Sequence, residues 1–280
     1  MNAIEIRGLT KKYPGFTLDN VSFTVPGGCI VGLVGENGAG KSTTIRLLLD
    51  LIQPDSGSVE LLGAAPGKAA PAWKNDVGVV LDDPGLPAYL NARQIGRVFR
   101  DAFTGWDEKA WEDLLRRFAI PADKKYSELS NGTKMKLALA AALSHNAKLL
   151  VLDEATNGLD PVVRDEVVDI LMEFTRDEEH SILISSHIVS DLEKLCDYIA
   201  FLHKGKLIVF EEKDVLAEEY GIFRGTAEEF AALGAADVLR KTETPYGVTA
   251  AVKRSSVSGG AELSPVGIEE LFVMMAKEMD

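Results

Sequence analysis

Short apolar runs and amphipathic stretches alternate along the first 210 residues of the chain. Many of the apolar runs end at Gly, Pro or Asp, as buried strands do, whereas apolar residues three or four positions apart predict helices. Strands are predicted at residues 3–7, 16–25, 29–34, 58–62, 76–81, 149–154, 181–185, 198–202 and 207–210. Helices are predicted at residues 44–51, 91–103, 108–118, 134–144, 162–175 and 188–195. This alternation is typical of an α/β fold.

The stretch from residue 84 to about residue 129 is predicted to be helical, with amphipathic helices at 91–103 and 108–118. The first of these helices carries three apolar side chains on one face and three arginines on another. They are Ile95, Phe99 and Phe103, and Arg93, Arg97 and Arg100. From the pattern alone, the arginine row is predicted to be a solvated face.

Beyond about residue 210 the pattern changes, and no chemical motif is visible. Helix-like pieces are predicted at 215–220, 227–233 and 265–277, strands at 238–242 and 248–253, and a Ser-Gly loop at 255–260. We therefore predict two domains. Residues 1–210 carry the chemistry, and residues 211–280 form a small α+β accessory domain.

Composition narrows the class of protein. Of the 280 residues, 46% are hydrophobic and 26% charged, and the formal net charge of −13 argues against a nucleic-acid partner. The two cysteines lack metal-ligand spacing and suggest a reducing compartment. We expect no signal peptide, because no apolar stretch follows residues 1–7, and no stretch approaches the ~18 apolar residues that span a bilayer. We expect a soluble, cytoplasmic protein whose membrane role comes through a partner.

The sequence GENGAGKST at residues 35–43 fits the pattern G-x-x-x-x-G-K-[ST] between a predicted strand and a predicted helix. Its glycines let backbone N–H groups turn toward a polyphosphate at the positive end of a helix. Lys41 is predicted to reach the β- and γ-phosphates and to neutralise charge there, and the Ser42 hydroxyl to bind Mg²⁺. A chance glycine-rich turn is the alternative, which the flanking elements disfavour. The candidate phosphate-binding residues are Gly35, Glu36, Asn37, Gly38, Ala39, Gly40, Lys41, Ser42 and Thr43.

Polar residues end two other predicted strands. Asp153 and Glu154 end strand 149–154, and His187 follows strand 181–185. Ligands of α/β sheets gather at the carboxyl ends of the strands, so the two carboxylates are predicted to meet the phosphates. For His187, position alone leaves a structural and a functional role equally open.

Two further positions carry candidate roles. Tyr13 lies upstream of the phosphate loop, where an aromatic ring could stack on a base, although packing is the commoner role of a tyrosine beside a Pro-Gly turn. Ser130 or Asn131 would be a good N-cap for helix 134–144.

In order and spacing, these segments resemble the nucleotide-binding subunit of an ABC transporter over roughly residues 1–210. Residues 35–43 are similar to its Walker A motif, residues 149–154 to Walker B with the catalytic glutamate, and residues 158–161 to the D-loop. LSNGT at 129–133 is similar to the signature LSGGQ, from which it departs in its third and fifth letters. The C-terminal extension and the helical stretch resemble single-domain ATPases of the ABC-2 export type.

The resemblance implies a P-loop NTPase core with an antiparallel β subdomain and a helical subdomain at about residues 84–129. It implies ATP and Mg²⁺ as ligands. Glu154 would polarise the attacking water, Asp153 would hold Mg²⁺, and His187, as the switch histidine, would contact the γ-phosphate. Tyr13 falls at the position of the family's adenine-stacking aromatic, so the resemblance favours stacking over packing.

The resemblance also implies partners. Ser130, Asn131 and Gly132 would close over the ATP of a second subunit, in a homodimer or heterodimer with two-fold symmetry. The helical subdomain would dock on an integral membrane transporter subunit at the cytoplasmic face of the cell membrane. The arginine row then becomes a candidate contact with that subunit, which would be an exporter.

One position departs from the family pattern. The family has a glutamine after strand 76–81 that links Mg²⁺ and water to the membrane partner, and this chain has Asp82 there. An aspartate offers Mg²⁺ a hard oxygen, as a glutamine does. The hypothesis is that Asp82 takes over this task; the alternative is an acidic residue of a surface loop.

Two other classes of protein are alternatives to this assignment. A soluble ABC ATPase acting on nucleic acid or ribosomes is disfavoured by the acidic balance and by the single core in the chain. The stretch between Lys41 and Ser130 also has room only for a helical subdomain, not for long coiled coils. A nucleotide-dependent regulatory subunit without turnover stays open, and a steady-state ATPase assay separates it from an ATPase.

Overall fold

The computed structural model describes residues 1–65, 72–234, 238–245, 247–257 and 263–278. Its strands are β1 (Asn2–Tyr13), β2 (Phe16–Pro26), β3 (Ile30–Val34), β4 (Ser56–Leu61), β5 (Val77–Val80), β6 (Leu149–Asp153), β7 (Ser181–Ser186), β8 (Tyr198–His203), β9 (Lys206–Glu212), β10 (Tyr220–Gly225), β11 (Val238–Thr244) and β12 (Gly247–Lys253). Its helices are α1 (Lys41–Leu48), α2 (Ala92–Ala102), α3 (Glu108–Arg117), α4 (Asn131–Leu143), α5 (Pro161–Phe174), α6 (Val189–Leu195), α7 (Lys213–Glu219), α8 (Ala227–Ala232) and α9 (Ile268–Glu278).

Among the strands that the structure describes, six form the central sheet in the order β5-β6-β7-β3-β8-β9. Neighbours from β5 to β8 pair in parallel, and β9 pairs antiparallel with β8. Successive side chains of a strand point to opposite faces, so Val31 and Leu33 of β3 pack in one core while Ile30 and Val34 pack in the other. The carboxyl ends of β3, β6 and β7 meet at one edge, as the α/β pattern predicts.

The two faces of the central sheet are covered differently. On one face, α1 packs together with an antiparallel sheet of order β2-β1-β4. Helices α2 to α6 cover the other face. The helical stretch is confirmed as two amphipathic helices, with Ile95 of α2 and Trp111 of α3 fully buried against α4. The predicted antiparallel and helical subdomains are therefore both present.

The helix after the phosphate loop begins earlier than the sequence pattern predicts. The pattern predicts residues 44–51, whereas α1 runs from Lys41 to Leu48. Gly40 has a φ of 112°, and this left-handed residue caps the helix and turns the chain directly into it. Asp50, with a φ of 58°, lies just past its end. Residues 41–43 are therefore the first turn of α1 rather than part of a loop.

The C-terminal part forms a second antiparallel sheet of order β10-β12-β11. The pattern did not predict β10, because it follows α7 without a turn residue between them. The predicted loop at 255–260 lies partly outside the described residues, from residue 258 onward. The predicted domain boundary falls inside β9, and the division into two domains stays a prediction.

Helix α9 packs against the central sheet, where the ring of Phe272 lies 4.5 Å from that of Phe201 on β8. It begins at Ile268, three residues later than predicted, and the Glu193 carboxylate accepts hydrogen bonds from the N–H groups of Ile268 and Glu269. No helix within the described ranges is both long and apolar enough to cross a bilayer.

Candidate functional site

The phosphate loop connects β3 to α1 and holds its lysine in a fixed place. The Lys41 ammonium group donates to the Gly35 carbonyl at 2.7 Å and lies 3.4 Å from the Glu36 carbonyl oxygen. Only 6% of Lys41 is exposed. Gly38 has a φ of 86°, a left-handed conformation that glycine adopts without strain. The loop thus aims one buried cation and the N-terminus of α1 at the same space.

Glu154 lies across from this loop and is bonded at both of its carboxylate oxygens. Its Oε1 lies 3.3 Å from the Lys41 ammonium nitrogen, and its Oε2 lies 2.6 Å from Nδ1 of His187. The backbone N–H of His187 donates to the same Oε2 at 3.3 Å. Glu154 itself has a left-handed backbone with a φ of 54°. The structure therefore brings together all three predicted catalytic residues.

Asp153 lies at the end of β6 and is 97% buried, with 3% of its surface exposed. Its Oδ1 accepts a hydrogen bond of 2.5 Å from the hydroxyl of Ser185, at the end of β7. This contact leaves the second carboxylate oxygen for other ligands. Sequence reasoning placed Ser185 at this edge but assigned it no role, because the bond depends on the register of β6 against β7.

A cavity of about 680 Å³ opens at this edge of the sheet. Most of the predicted phosphate-loop residues face it, as do Glu154, His187 and Asp82. Gly35 and Ala39 are buried behind the loop, where a Cβ on Gly35 would lie 2.6 Å from the Leu202 carbonyl oxygen. The described residues that line the cavity are Phe16, Glu36, Asn37, Gly38, Gly40, Lys41, Ser42, Thr43, Asp82, Glu154, Asn157 and His187.

Two lining residues were not predicted from the sequence, Phe16 and Asn157. Phe16 pairs in register with Tyr13 across the β1–β2 turn, and their rings lie 6.5 Å apart at an angle of 28°. Tyr13 is 40% exposed and lies outside the described lining residues, next to Phe16 at the rim. The signal for Phe16 was its place in a short hairpin with Tyr13.

The signature segment lies at the start of α4, away from the described lining residues of the cavity. Ser130 is the N-cap of this helix, as predicted, and its hydroxyl accepts from the Thr133 N–H at 3.3 Å. Ser130 and Asn131 are exposed. Gly132 lies against the segment predicted as the D-loop, since a Cβ on it would be 3.3 Å from the Gly158 carbonyl oxygen.

Comparison with known proteins shows to which family the chain belongs. A family model described as ABC transporter matches residues 18–157, half of the chain. The ABC transporter ATP-binding protein YtrB of Bacillus subtilis (strain 168) is 35% identical over 218 residues, which cover 78% of this chain and 74% of YtrB. The chain belongs to the ABC transporter family. Within the family it is an ATP-binding ATPase subunit.

Two further proteins are similar to this ABC subunit. The Nod factor export ATP-binding protein I of Rhizobium sp. (strain N33) is 33% identical over 243 residues, covering 82% of this chain and 80% of that protein. A dimeric structure of MJ0796, a bacterial ABC transporter cassette, matches the subunit with a TM-score of 0.67 and 21% identity, over 75% of this chain and 98% of the cassette. The predicted P-loop fold is confirmed.

An apolar groove of about 340 Å³ separates the helical part of the ABC subunit from β5. Trp73, Val79, Leu86, Phe99, Phe103 and His145 are among its lining residues. His145 is buried, and its ring lies 4.2 Å from that of Phe103. Burial lowers the pKa of His145, an effect that hydrogen bonds to backbone carbonyls partly oppose.

The arginine row lies on the other side of α2, in a second groove between α2 and α3. Its members are exposed, as predicted. Arg93 pairs with Asp123 at 3.2 Å, and Arg100 lies 4.0 Å from Glu108. Exposed pairs of this kind contribute little to stability, so the arginines are available to other anions.

Proposed function

We propose that this subunit binds ATP in the cavity beside the phosphate loop, hydrolyses it, and thereby drives an integral membrane subunit that exports its cargo. The observation that carries the proposal is the meeting of Lys41, Glu154 and His187 at one edge of the sheet. A cation for the phosphates and a carboxylate for the water are the two groups that phosphoryl transfer needs close together.

Phosphate binding would rest on the loop and the first turn of α1. Lys41 and the backbone N–H groups of residues 35–43 would contact the β- and γ-phosphates. The positive end of the α1 dipole favours the same negative charge. The adenine base would lie at the rim formed by Tyr13 and Phe16, where the 40% exposed Tyr13 offers an aromatic ring for stacking.

Mg²⁺ fits the donor set of this site. Ser42, Asp153 and Asp82 offer hydroxyl and carboxylate oxygens, which this hard cation prefers. Within the described parts of the chain, no three His, Cys, Asp or Glu side chains group as a metal site. Mg²⁺ in nucleotide sites is held by one or two carboxylates together with substrate phosphates, so a complete protein cage is not needed. When bound, the ion would neutralise phosphate charge.

Glu154 would polarise the water that attacks the γ-phosphate. One of its oxygens is held by Lys41 and the other by His187, so the carboxylate has a fixed orientation. His187, with 42% of its side chain exposed, can reach both the water and the γ-phosphate from the open side of the cavity. The catalytic effect would come from positioning and from charge stabilisation rather than from a covalent intermediate.

A second subunit would complete the site. Ser130 and Asn131 are exposed and Gly132 is partly exposed at the N-terminus of α4, a position suited to bind phosphate held by another chain. The dimeric form of the MJ0796 cassette supports this arrangement. ATP would hold the two subunits together and hydrolysis would release them, in a homodimer or a heterodimer.

The membrane subunit would dock in the apolar groove next to the helical subdomain. The groove exposes apolar side chains, including Val79 at 38% exposure, which is typical of a protein interface. Asp82, in the loop after β5, lines the ATP cavity, and the preceding residue Leu81 lines this groove. We place the subunit at the cytoplasmic face of the membrane, with the arginine row as a further contact.

Glu154→Gln tests the proposal. The amide keeps the shape of the side chain but is a poor base, so kcat should fall by about 100-fold or more while ATP still binds. The variant should accumulate as ATP-bound dimers, measured by size-exclusion chromatography with ATP. The matched control is Glu179→Gln, because Glu179 is an exposed glutamate that is not among the described residues lining the cavity. Full hydrolysis by Glu154→Gln would remove Glu154 from this role.

A further inference from the structure

Ser185 lies on the strand between the one that ends at Asp153 and the one that leads into the phosphate loop. It is not among the described residues that line the cavity. Strand β7 runs between β6 and β3, and Ser185 is in register with Asp153 on β6 and with Leu33 on β3. The residue is fully buried. Residues in register on neighbouring strands point to the same face, so the hydroxyl of Ser185 is directed at the carboxylate of Asp153.

The Ser185 hydroxyl makes two hydrogen bonds, one to each of two consecutive residues. It donates to Oδ1 of Asp153 at 2.5 Å and accepts from the backbone N–H of Glu154 at 3.1 Å. A hydroxyl can donate and accept at once, so a single oxygen atom links both residues. The Ser185 carbonyl also accepts from the Glu154 N–H, at 3.1 Å. An alanine would keep the carbonyl contact and lose the two hydroxyl contacts.

The backbone at Glu154 needs such support. Its φ of 54° is a left-handed conformation that is unfavourable for a residue with a Cβ. Such conformations persist when the surrounding contacts hold them in place. Glu154 is held at its backbone and at its side chain. Ser185 accepts a hydrogen bond from its backbone N–H, and His187 donates one to its carboxylate.

We propose that Ser185 is a positioning residue for ATP hydrolysis. Its hydroxyl donates to one oxygen of the Asp153 carboxylate and supports the left-handed backbone conformation of Glu154. The Glu154 side chain is thereby directed at Lys41 and His187. Ser185 does not touch the substrate. This inference rests on the proposed roles of Asp153 and Glu154.

The test compares Ser185 with another serine of the same strand. Ser181 is also fully buried in β7 and its hydroxyl accepts from the Gly28 N–H at 3.0 Å, at the end of the strand away from the site. Ser181→Ala is therefore a matched control for the loss of a buried hydroxyl. Ser185→Cys is a second variant, because it fills the same space but its thiol is a weak hydrogen-bond donor.

We expect Ser185→Ala and Ser185→Cys to lower kcat by about ten- to a hundredfold, the effect of losing a hydrogen bond to a charged group. Binding of a fluorescent ATP analogue should stay within about twofold of the wild type, because the phosphate loop is untouched. Ser181→Ala should keep the wild-type kcat. Thermal unfolding of all three variants checks that they are folded.

A measurement made without nucleotide tests directly whether Ser185 positions the backbone of Glu154. Hydrogen exchange at the backbone amide of Glu154 should be faster in Ser185→Ala than in Ser181→Ala, because one of its two acceptors is gone. Equal kcat and equal exchange in the two alanine variants would overturn the proposal. So would a wild-type kcat in Ser185→Cys, since packing would then be the role of Ser185.

Glu154→Gln, assayed in parallel, keeps the two proposals distinguishable. If Glu154→Gln has lost turnover and Ser185→Ala behaves as Ser181→Ala does, only the inference about Ser185 is wrong. If Glu154→Gln turns over at the wild-type rate, the proposed function of the site fails, whatever the Ser185 variants do.

Discussion

The ammonium nitrogen of Lys41 lies 3.3 Å from Oε1 of Glu154, and both side chains are buried. Two buried charges stabilise a protein only when each is paired well, because both have lost their hydration. His187 occupies the second oxygen of Glu154. A phosphate that binds Lys41 therefore competes with Glu154 for the ammonium group. Phosphate binding would thus loosen the contact between Lys41 and the carboxylate that is proposed to act on water.

The first prediction concerns this buried pair. Lys41→Met keeps most of the aliphatic chain and removes the charge, so ATP affinity should fall by about tenfold or more. The free energy of unfolding should fall by about 3 kcal/mol, because Glu154 keeps a buried charge whose remaining polar contacts among the described side chains are with His187. Affinity is measured with a fluorescent ATP analogue and stability by urea unfolding.

The double variant Lys41→Met/Glu154→Gln provides the control. Removing both charges also removes the unpaired one, so the double variant should be more stable than the sum of the two single effects predicts. Strictly additive losses in urea unfolding would show that the contact between Lys41 and Glu154 contributes nothing to stability.

The second prediction concerns Asp82, which lines the cavity and is the hypothesised Mg²⁺ ligand in the loop after β5. If its carboxylate contributes to Mg²⁺ binding, Asp82→Ala should raise the Mg²⁺ concentration that half-saturates ATP hydrolysis by about threefold or more. Asp83→Ala is the matched control: Asp83 is the adjacent exposed aspartate, and it bonds locally to the Gly85 N–H. A Mg²⁺ curve in Asp82→Ala that overlays that of the wild type would end the hypothesis.

Local patterns predicted the parts of the site that depend on consecutive residues. The phosphate loop is a single run of nine letters at residues 35–43. Asp153 and Glu154 end one predicted strand and His187 follows another, and parallel strands bring such ends to one edge. These positions could be predicted because strand direction alone places them together.

Contacts that depend on register could not be predicted in the same way. Phe16 reaches the cavity rim through its pairing with Tyr13, and Ser185 bonds to Asp153 through the alignment of β7 with β6. A shift of one residue would turn either side chain to the other face. The early start of α1 depends on the left-handed φ of Gly40, which the hydrophobic pattern does not encode.

The third prediction tests whether Ser130 contacts the ATP of its own subunit or the ATP of a second subunit. Ser130→Ala should leave ATP binding to the single subunit within about twofold, because Ser130 lies outside the described lining of the cavity. In the Glu154→Gln background it should reduce the ATP-dependent dimer by about tenfold, from the loss of a hydrogen bond to a charged phosphate. Dimer formation is measured by size-exclusion chromatography with ATP.

Ser130 is also the N-cap of α4, so its replacement can lower stability by about 1 kcal/mol. Thermal unfolding measures that loss separately. Ser127→Ala, at an exposed serine just before the signature segment, is the control. If Ser130→Ala weakened ATP binding by the single subunit as strongly as dimer formation, the segment would act on its own chain's nucleotide.

The fourth prediction concerns pH and His145, whose pKa is lowered by burial beneath the apolar groove. The usual pKa of histidine is 6.5, so well above this pH the ring is neutral in both the folded and the unfolded chain, and His145 adds no pH dependence. As the pH falls below that value, the unfolded chain takes up a proton that the folded chain refuses. The free energy of unfolding should then fall, by at most about 1.4 kcal/mol per pH unit from this one group.

His145→Gln removes the titrating group, so the free energy of unfolding should depend less steeply on pH between about pH 6.5 and 5. Urea unfolding at a series of pH values measures the slope. The control is His180→Gln, because His180 also stacks on a phenylalanine, at 4.4 Å, and bonds to a backbone carbonyl, but is only half-buried. Identical slopes in wild type and His145→Gln would mean that His145 takes up its proton as readily in the folded chain as in the unfolded one.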